Sequence, residues 1–167
     1  MKTVYMLVGV PGSGKSTFYN NKYNITKLAA PGYISTDAII DHIAKEFDTT
    51  YDQIFKEAID LAQKIAMKDL QYWLSTGFNI VWDQTNLTVK GRAQKIAMIP
   101  DDWKIIAIWF PIPEKDEWKR RLASRPGKTI PAHVLENMAS TFTIPDTTEG
   151  FDEVYRFDAF ERNCNES

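Results

Sequence analysis

Apolar runs with little polar alternation recur along this chain, separated by stretches whose apolar residues return every three or four positions. Residues 4–8, 79–83 and 103–110 are near-continuous apolar runs, the pattern of strands buried on both faces. Residues 33–36 read as a further short strand ending at Asp37, and 153–157 as a last one. Helical spacing predicts helices over residues 15–21, about 38–47, 114–125 and from Pro131 onward. A long helix starts at a Thr49 or Thr50 cap and stops at Thr76-Gly77, and Thr88 caps another. In the long helix Tyr51, Ile54, Phe55, Ala58, Ala62 and Ile65 share a face. Val89, Ala93, Ile96 and Ala97 form the expected inward face after Thr88, and Leu135, Met138 and Phe142 that after Pro131. Strands alternating with helices make the fold class α/β, a parallel sheet of about five strands with helices on both faces. No repeat, low-complexity tract or linker divides residues 1–167, which read as one domain.

Where the first strand meets the first helix the chain reads Gly9-Val10-Pro11-Gly12-Ser13-Gly14-Lys15-Ser16-Thr17, a complete G-x-x-x-x-G-K-[ST]. A loop that wraps a triphosphate turns its backbone N–H groups inward together, and glycines permit the dihedrals this needs. Gly12, Ser13, Gly14 and Thr17 belong to that cradle, Lys15 reaches the outer phosphates, and Ser16 is placed to hold Mg²⁺. The strand before and helix after the motif give it the context of a P-loop, which binds a nucleoside triphosphate.

Ligands of open parallel sheets lie beyond the carboxyl ends of the strands, which directs attention to Asp37 and to Asp83-Gln84-Thr85-Asn86. Asp37 has two compatible readings: a base for an acceptor hydroxyl, or the cap of the helix that follows. Asp83 can position Mg²⁺, or belong to a polar turn. Arg121 and Arg125 lie four apart on one helix face, suited to a transferring phosphoryl group, whereas Lys115, Lys119 and Lys128 read as a solvated face. His42 and His133 read as structural, and Trp118 is placed to flank a moving helix.

Charge refines this picture. The net charge is −2, so no global positive field marks a nucleic-acid binder, yet residues 115–128 hold six Lys or Arg against two acids. Residues 146–167 hold seven acids against two Arg, so the positive charge is gathered where an anion needs clamping. The lone cysteine, Cys164, has no partner for a disulfide, and no apolar run approaches a membrane span; a cytoplasmic protein is expected.

Taken in order, GVPGSGKST, S-T-D, V-W-D-Q-T-N-L with Arg92, R-R-L-A-S-R-P-G-K-T-I-P with V-L-E-N-M, and P-D-T-T-E-G-F-D-E-V resemble the polynucleotide 5′-hydroxyl kinase family. The resemblance covers nearly the whole chain and implies a P-loop NTPase fold with a helical lid at about residues 114–130. It implies ATP and Mg²⁺ as cofactors and a 5′-hydroxyl nucleic-acid end as acceptor. Asp37 matches the general base, Lys15 and Ser16 the phosphate and metal contacts, and Arg125 the lid arginine. Thr85, Asn86 and Arg92 match substrate-side or supporting residues. Two departures stand out: Ile40 replaces a substrate-binding arginine of the phage form, and the acid before T-N sits at Asp83, as in the animal form, with Gln84 following. No phosphatase or ligase domain accompanies the motifs, so such an activity would come from a separate chain. The same fold also serves kinases of small-molecule, nucleoside or tRNA-linked hydroxyls, and degenerate domains that bind nucleotide without transfer.

Overall fold

The computed structural model describes residues 1–162; Cys164 lies outside them. Its centre is β1 (Thr3–Val8), whose burial on both faces explains the unbroken apolar run in the sequence. β2 (Gly32–Ile34), β3 (Ile80–Asp83), β4 (Lys104–Trp109) and β5 (Glu153–Arg156) complete an all-parallel sheet in the order β2-β3-β1-β4-β5. The register pairs Leu7 with Asp83 and Val8 with Trp109, so β3 and β4 both end beside the start of the glycine-rich loop.

The helices are α1 (Lys15–Asn20), α2 (Lys22–Leu28), α3 (Thr36–Glu46), α4 (Tyr51–Thr76), α5 (Val89–Ile96), α6 (Lys115–Ala123), α7 (Ala132–Thr141) and α8 (Phe157–Arg162), with a 3-10 turn at Thr147–Glu149. α4 begins at a Thr50/Gln53 capping box and ends at Gly77 in the left-handed region. Its buried stripe is Ala58, Ala62, Ala66 and Leu70, four residues apart; small residues let α3 approach, and Ile40 fills the space between. Phe55, expected on this face, is instead 38% exposed. α2 and α8 were not legible in the periodicity, each being only six or seven residues long.

α5 overturns its expected face. Val89, Ala93 and Ala97 are exposed, and the one buried side chain of the helix is Arg92. Its guanidinium, with no exposed surface, donates from Nε and Nη2 to Glu149 at 2.7 Å each, and from Nη1 to the carbonyls of Asn86, Leu87 and Thr143 at 2.9–3.1 Å. Removing one partner strands a buried charge, which costs about 3–5 kcal/mol. Arg92→Met and Glu149→Gln are therefore each expected to lower unfolding free energy by about that much in urea titration. An effect below ~1 kcal/mol for both would show that the pair is not a structural tie.

Candidate active site

The loop after β1 follows from its dihedrals: Gly12 has φ +77° and Gly14 φ +104°, values that only glycine adopts without strain. Gly14 stands at the start of α1 with no side-chain cap, leaving the first N–H groups of the helix for an anion. Lys15 is buried and its ammonium donates to the carbonyls of Gly9 (2.7 Å) and Val10 (3.1 Å). Burial lowers its pKa, against the opposing pull of Asp83 and Asp37. Ser16 and Thr17 are exposed along the same cavity of about 1000 Å³.

Asp83, at the end of β3, lines this cavity together with Lys15 and accepts from Tyr33 Oη at 2.6 Å. Burial raises its carboxyl pKa; Lys15 and the Tyr33 hydrogen bond act the other way. Among the described residues no three His, Cys, Asp or Glu side chains gather as a metal cluster. Ser16 and Asp83 are the oxygen-bearing residues on this cavity that would hold Mg²⁺ beside nucleotide phosphates.

Asp37 separates its two readings. The cap of α3 is Ser35, whose side chain accepts from the Ala38 N–H, and Asp37 lies in the first turn with its side chain turned to the cavity. Tyr51 Oη donates to Asp37 Oδ1 at 2.7 Å, while Oδ2 lies 3.9 Å from Arg125 Nη2. Arg125 Nη1 is buried without a hydrogen-bond partner, a costly state that a phosphate oxygen relieves. Arg121 is more committed: Nε donates to Glu117 at 2.6 Å and Nη1 to the Gly12 carbonyl at 3.3 Å. Glu117, hydrogen-bonded by Arg120 and by Arg121, is held down at a pKa of about 2. α6 rests on the loop through Trp118, whose Nε1 donates to the Pro11 carbonyl at 2.7 Å.

The other expected residues divide. The Thr85 carbonyl accepts from the Gly9 N–H at 2.9 Å and Thr85 lines the cavity. Asn86 is buried, holds φ +51° and donates to the Leu7 carbonyl at 2.7 Å. Arg92, wholly enclosed, is no contact for an acceptor; of the substrate-side and supporting readings, Asn86 and Arg92 take the supporting one. Lys128 is not on a solvated face: it pairs with Asp41 and lies 4.6 Å from the Tyr51 ring centroid. His42 and His133 are both exposed. Tyr33, Tyr51, Asp41 and Lys95 also line or support the site and carried no motif; only the fold brings them there.

Residues 4–145 match the model of a family described as an AAA domain. Solved structures share the fold. A candidate kinase from Chloroflexus aurantiacus J-10-fl superposes with a TM-score of 0.69 at 16% identity, covering 99% of this chain and 97% of that one. A sugar kinase from Janibacter sp. HTCC2649, unliganded, gives 0.59 at 17% identity over 99% and 93%. Shikimate kinase from Aquifex aeolicus VF5 gives 0.54 at 16% identity over 98% and 94%. At these identities the likeness is one of fold, that of the P-loop kinases.

Asp37→Asn and Arg125→Ala test the cavity as a catalytic site. With the Ser35 cap intact, Asp37→Asn is expected to keep the melting temperature and lower kcat about 10²-fold or more. Arg125→Ala is expected to lower kcat about 10²-fold with ATP affinity changed only a few-fold, the pattern of a charge used chiefly in the transition state. Unchanged kcat in folded variants would remove both residues from the chemistry.

Proposed function

The chain belongs to this AAA domain family, and from that premise we propose that it is an ATP-dependent kinase acting on the hydroxyl of a compact acceptor: a small molecule, a nucleoside or a tRNA-linked group. One observation carries the reading. A complete P-loop, a carboxylate freed from capping and an arginine with an unsatisfied buried nitrogen converge on one cavity. A pure nucleotide-binding module has no use for the second of these.

In the reaction the acceptor hydroxyl lies against Asp37 Oδ2 while Tyr51 holds Oδ1. The acceptor oxygen bonds to the γ-phosphorus, the bond to the bridging oxygen of ADP breaks, and Asp37 takes the hydroxyl proton. Lys15 and Arg125 offset the negative charge of the transferring group, and residues 114–130, including α6, act as the lid that seals it from water. Ser16 and Asp83 would hold Mg²⁺, which when bound supplies positive charge to the phosphates.

The expected 5′-hydroxyl polynucleotide acceptor is the second reading. The likeness behind it lies partly in Asn86, Arg92 and the Glu149 of E-G-F, and these three residues serve here as ties within the protein. Ile40 is wholly buried against α4, where a fully buried apolar side chain contributes about 1.5–3 kcal/mol, so its position faces no nucleic-acid phosphate. A compact acceptor also needs no separate ligase or phosphatase chain.

Incubation with γ-labelled ATP, Mg²⁺ and a panel of hydroxy acids, sugars, nucleosides, 3′-mononucleotides and 5′-hydroxyl oligonucleotides decides between them, with Lys15→Ala as the blank. Label on a small acceptor is the expected result. Label confined to oligonucleotides would establish the second reading, and no transfer to any acceptor would leave a binding module.

A further inference from the structure

Lys95, on α5, is a cation that the chemistry above does not use. Its Nζ donates to Gln84 Oε1 and Asn86 Oδ1 and lies 5.2 Å from the centroid of the buried Trp82 ring. These are neutral partners. Lys2, Lys104 and Lys128 each pair with a carboxylate, and Lys15 has Asp83 and Asp37 nearby. Lys95 makes no ion pair among the described residues, and burial alone lowers its pKa to about 8. A desolvated ammonium without a counter-charge is costly unless a ligand supplies one.

Its place in the cavity says which ligand. Lys95, Gln84, Thr36 and Asp37 all line it, and they are linked: Lys95 to Gln84 Oε1, Gln84 Nε2 to Thr36 Oγ1 at 3.4 Å, and Thr36 adjoining Asp37. Lys15, Arg121 and Arg125 are the cations of the P-loop and of α6 with the turn after it, whereas Lys95 comes from α5 and is linked through the Gln84 side chain to Thr36, the residue before Asp37. We propose that Lys95, aided by the Gln84 amide, is an anion subsite for the acceptor, which therefore carries a carboxylate or phosphate near the hydroxyl that receives the phosphoryl group. This rests on the kinase reading for the word acceptor, but the subsite itself is an equilibrium binding property.

That distinction fixes the experiment. Wild-type protein is saturated with Mg²⁺ and a non-hydrolysable ATP analogue, so that the P-loop is filled, and its amines are acetylated under limiting reagent. The Lys95 peptide is quantified by mass spectrometry with gluconate or 3′-UMP present, and with the neutral partners glucitol and uridine at equal ionic strength. One anion should protect Lys95 about tenfold and its neutral partner should not, as expected for a charge-assisted hydrogen bond. Gluconate protection marks a carboxylate acceptor and 3′-UMP protection a phosphate one. In turnover, Lys95→Gln should raise the KM of the charged acceptor about tenfold or more with kcat little changed, and Lys95→Arg should restore it. Protection without transfer to any acceptor would uphold the subsite and reject the kinase. Protection by neither anion, or an equal effect of Lys95→Gln on charged and neutral acceptors, would overturn the subsite even if transfer occurs.

Discussion

A single enclosed guanidinium holds the carboxyl edge of this sheet in place. Arg92 gathers the carbonyls of Asn86, Leu87 and Thr143 and the carboxylate of Glu149, joining the loop after β3 to the two segments that precede β5. The loop so fixed then fixes the next one: Asn86 donates to Leu7 at the end of β1, and Thr85 accepts from Gly9 at the start of the P-loop. Such a tie is strong because it is dry and each of its three nitrogens has a partner, which also makes it intolerant of losing one.

On that frame the cavity sets opposite charges at short range without letting them cancel fully. Lys15 is pushed toward neutrality by burial and Asp83 toward protonation, and each offsets part of the other's cost. Arg125 approaches Asp37 only to 3.9 Å and keeps one nitrogen without a partner. On the proposed kinase reading, a triphosphate would give Lys15 phosphate oxygens in place of the Gly9 and Val10 carbonyls and give the Arg125 nitrogen an acceptor.

The sheet, its five strands and most helices were legible because burial on both faces leaves apolar runs and capping residues leave local signatures. The glycine-rich motif was legible because few sequences satisfy its geometry. Other features were hidden for a physical reason. Arg92 reads only as a substrate-side or supporting residue until Glu149, 57 positions away, is brought against it. Asp37 reads as base or cap alike until Ser35 is seen to fill the capping role. Tyr51 looked like core because its ring faces inward along α4, yet its hydroxyl serves the site. Pattern records which side of an element is buried, not which distant partner it meets there.

The first turn of α4 does two things at adjacent residues. Tyr51 grips Asp37, and Asp52 grips the segment following α6: its N–H donates to the Gly127 carbonyl at 2.9 Å and its carboxylate accepts from the Thr129 N–H at 2.8 Å. Arg125 lies just upstream of that anchor. Asp37 and Arg125 thus hang from neighbouring links of one helix end, so the segment carrying Arg125 cannot swing away without pulling on the residue beside the tether of Asp37. The positions of Arg125 and Asp37 are thereby mechanically coupled, and on the proposed kinase reading a ligand that biases one would, by thermodynamic reciprocity, bias the other equally.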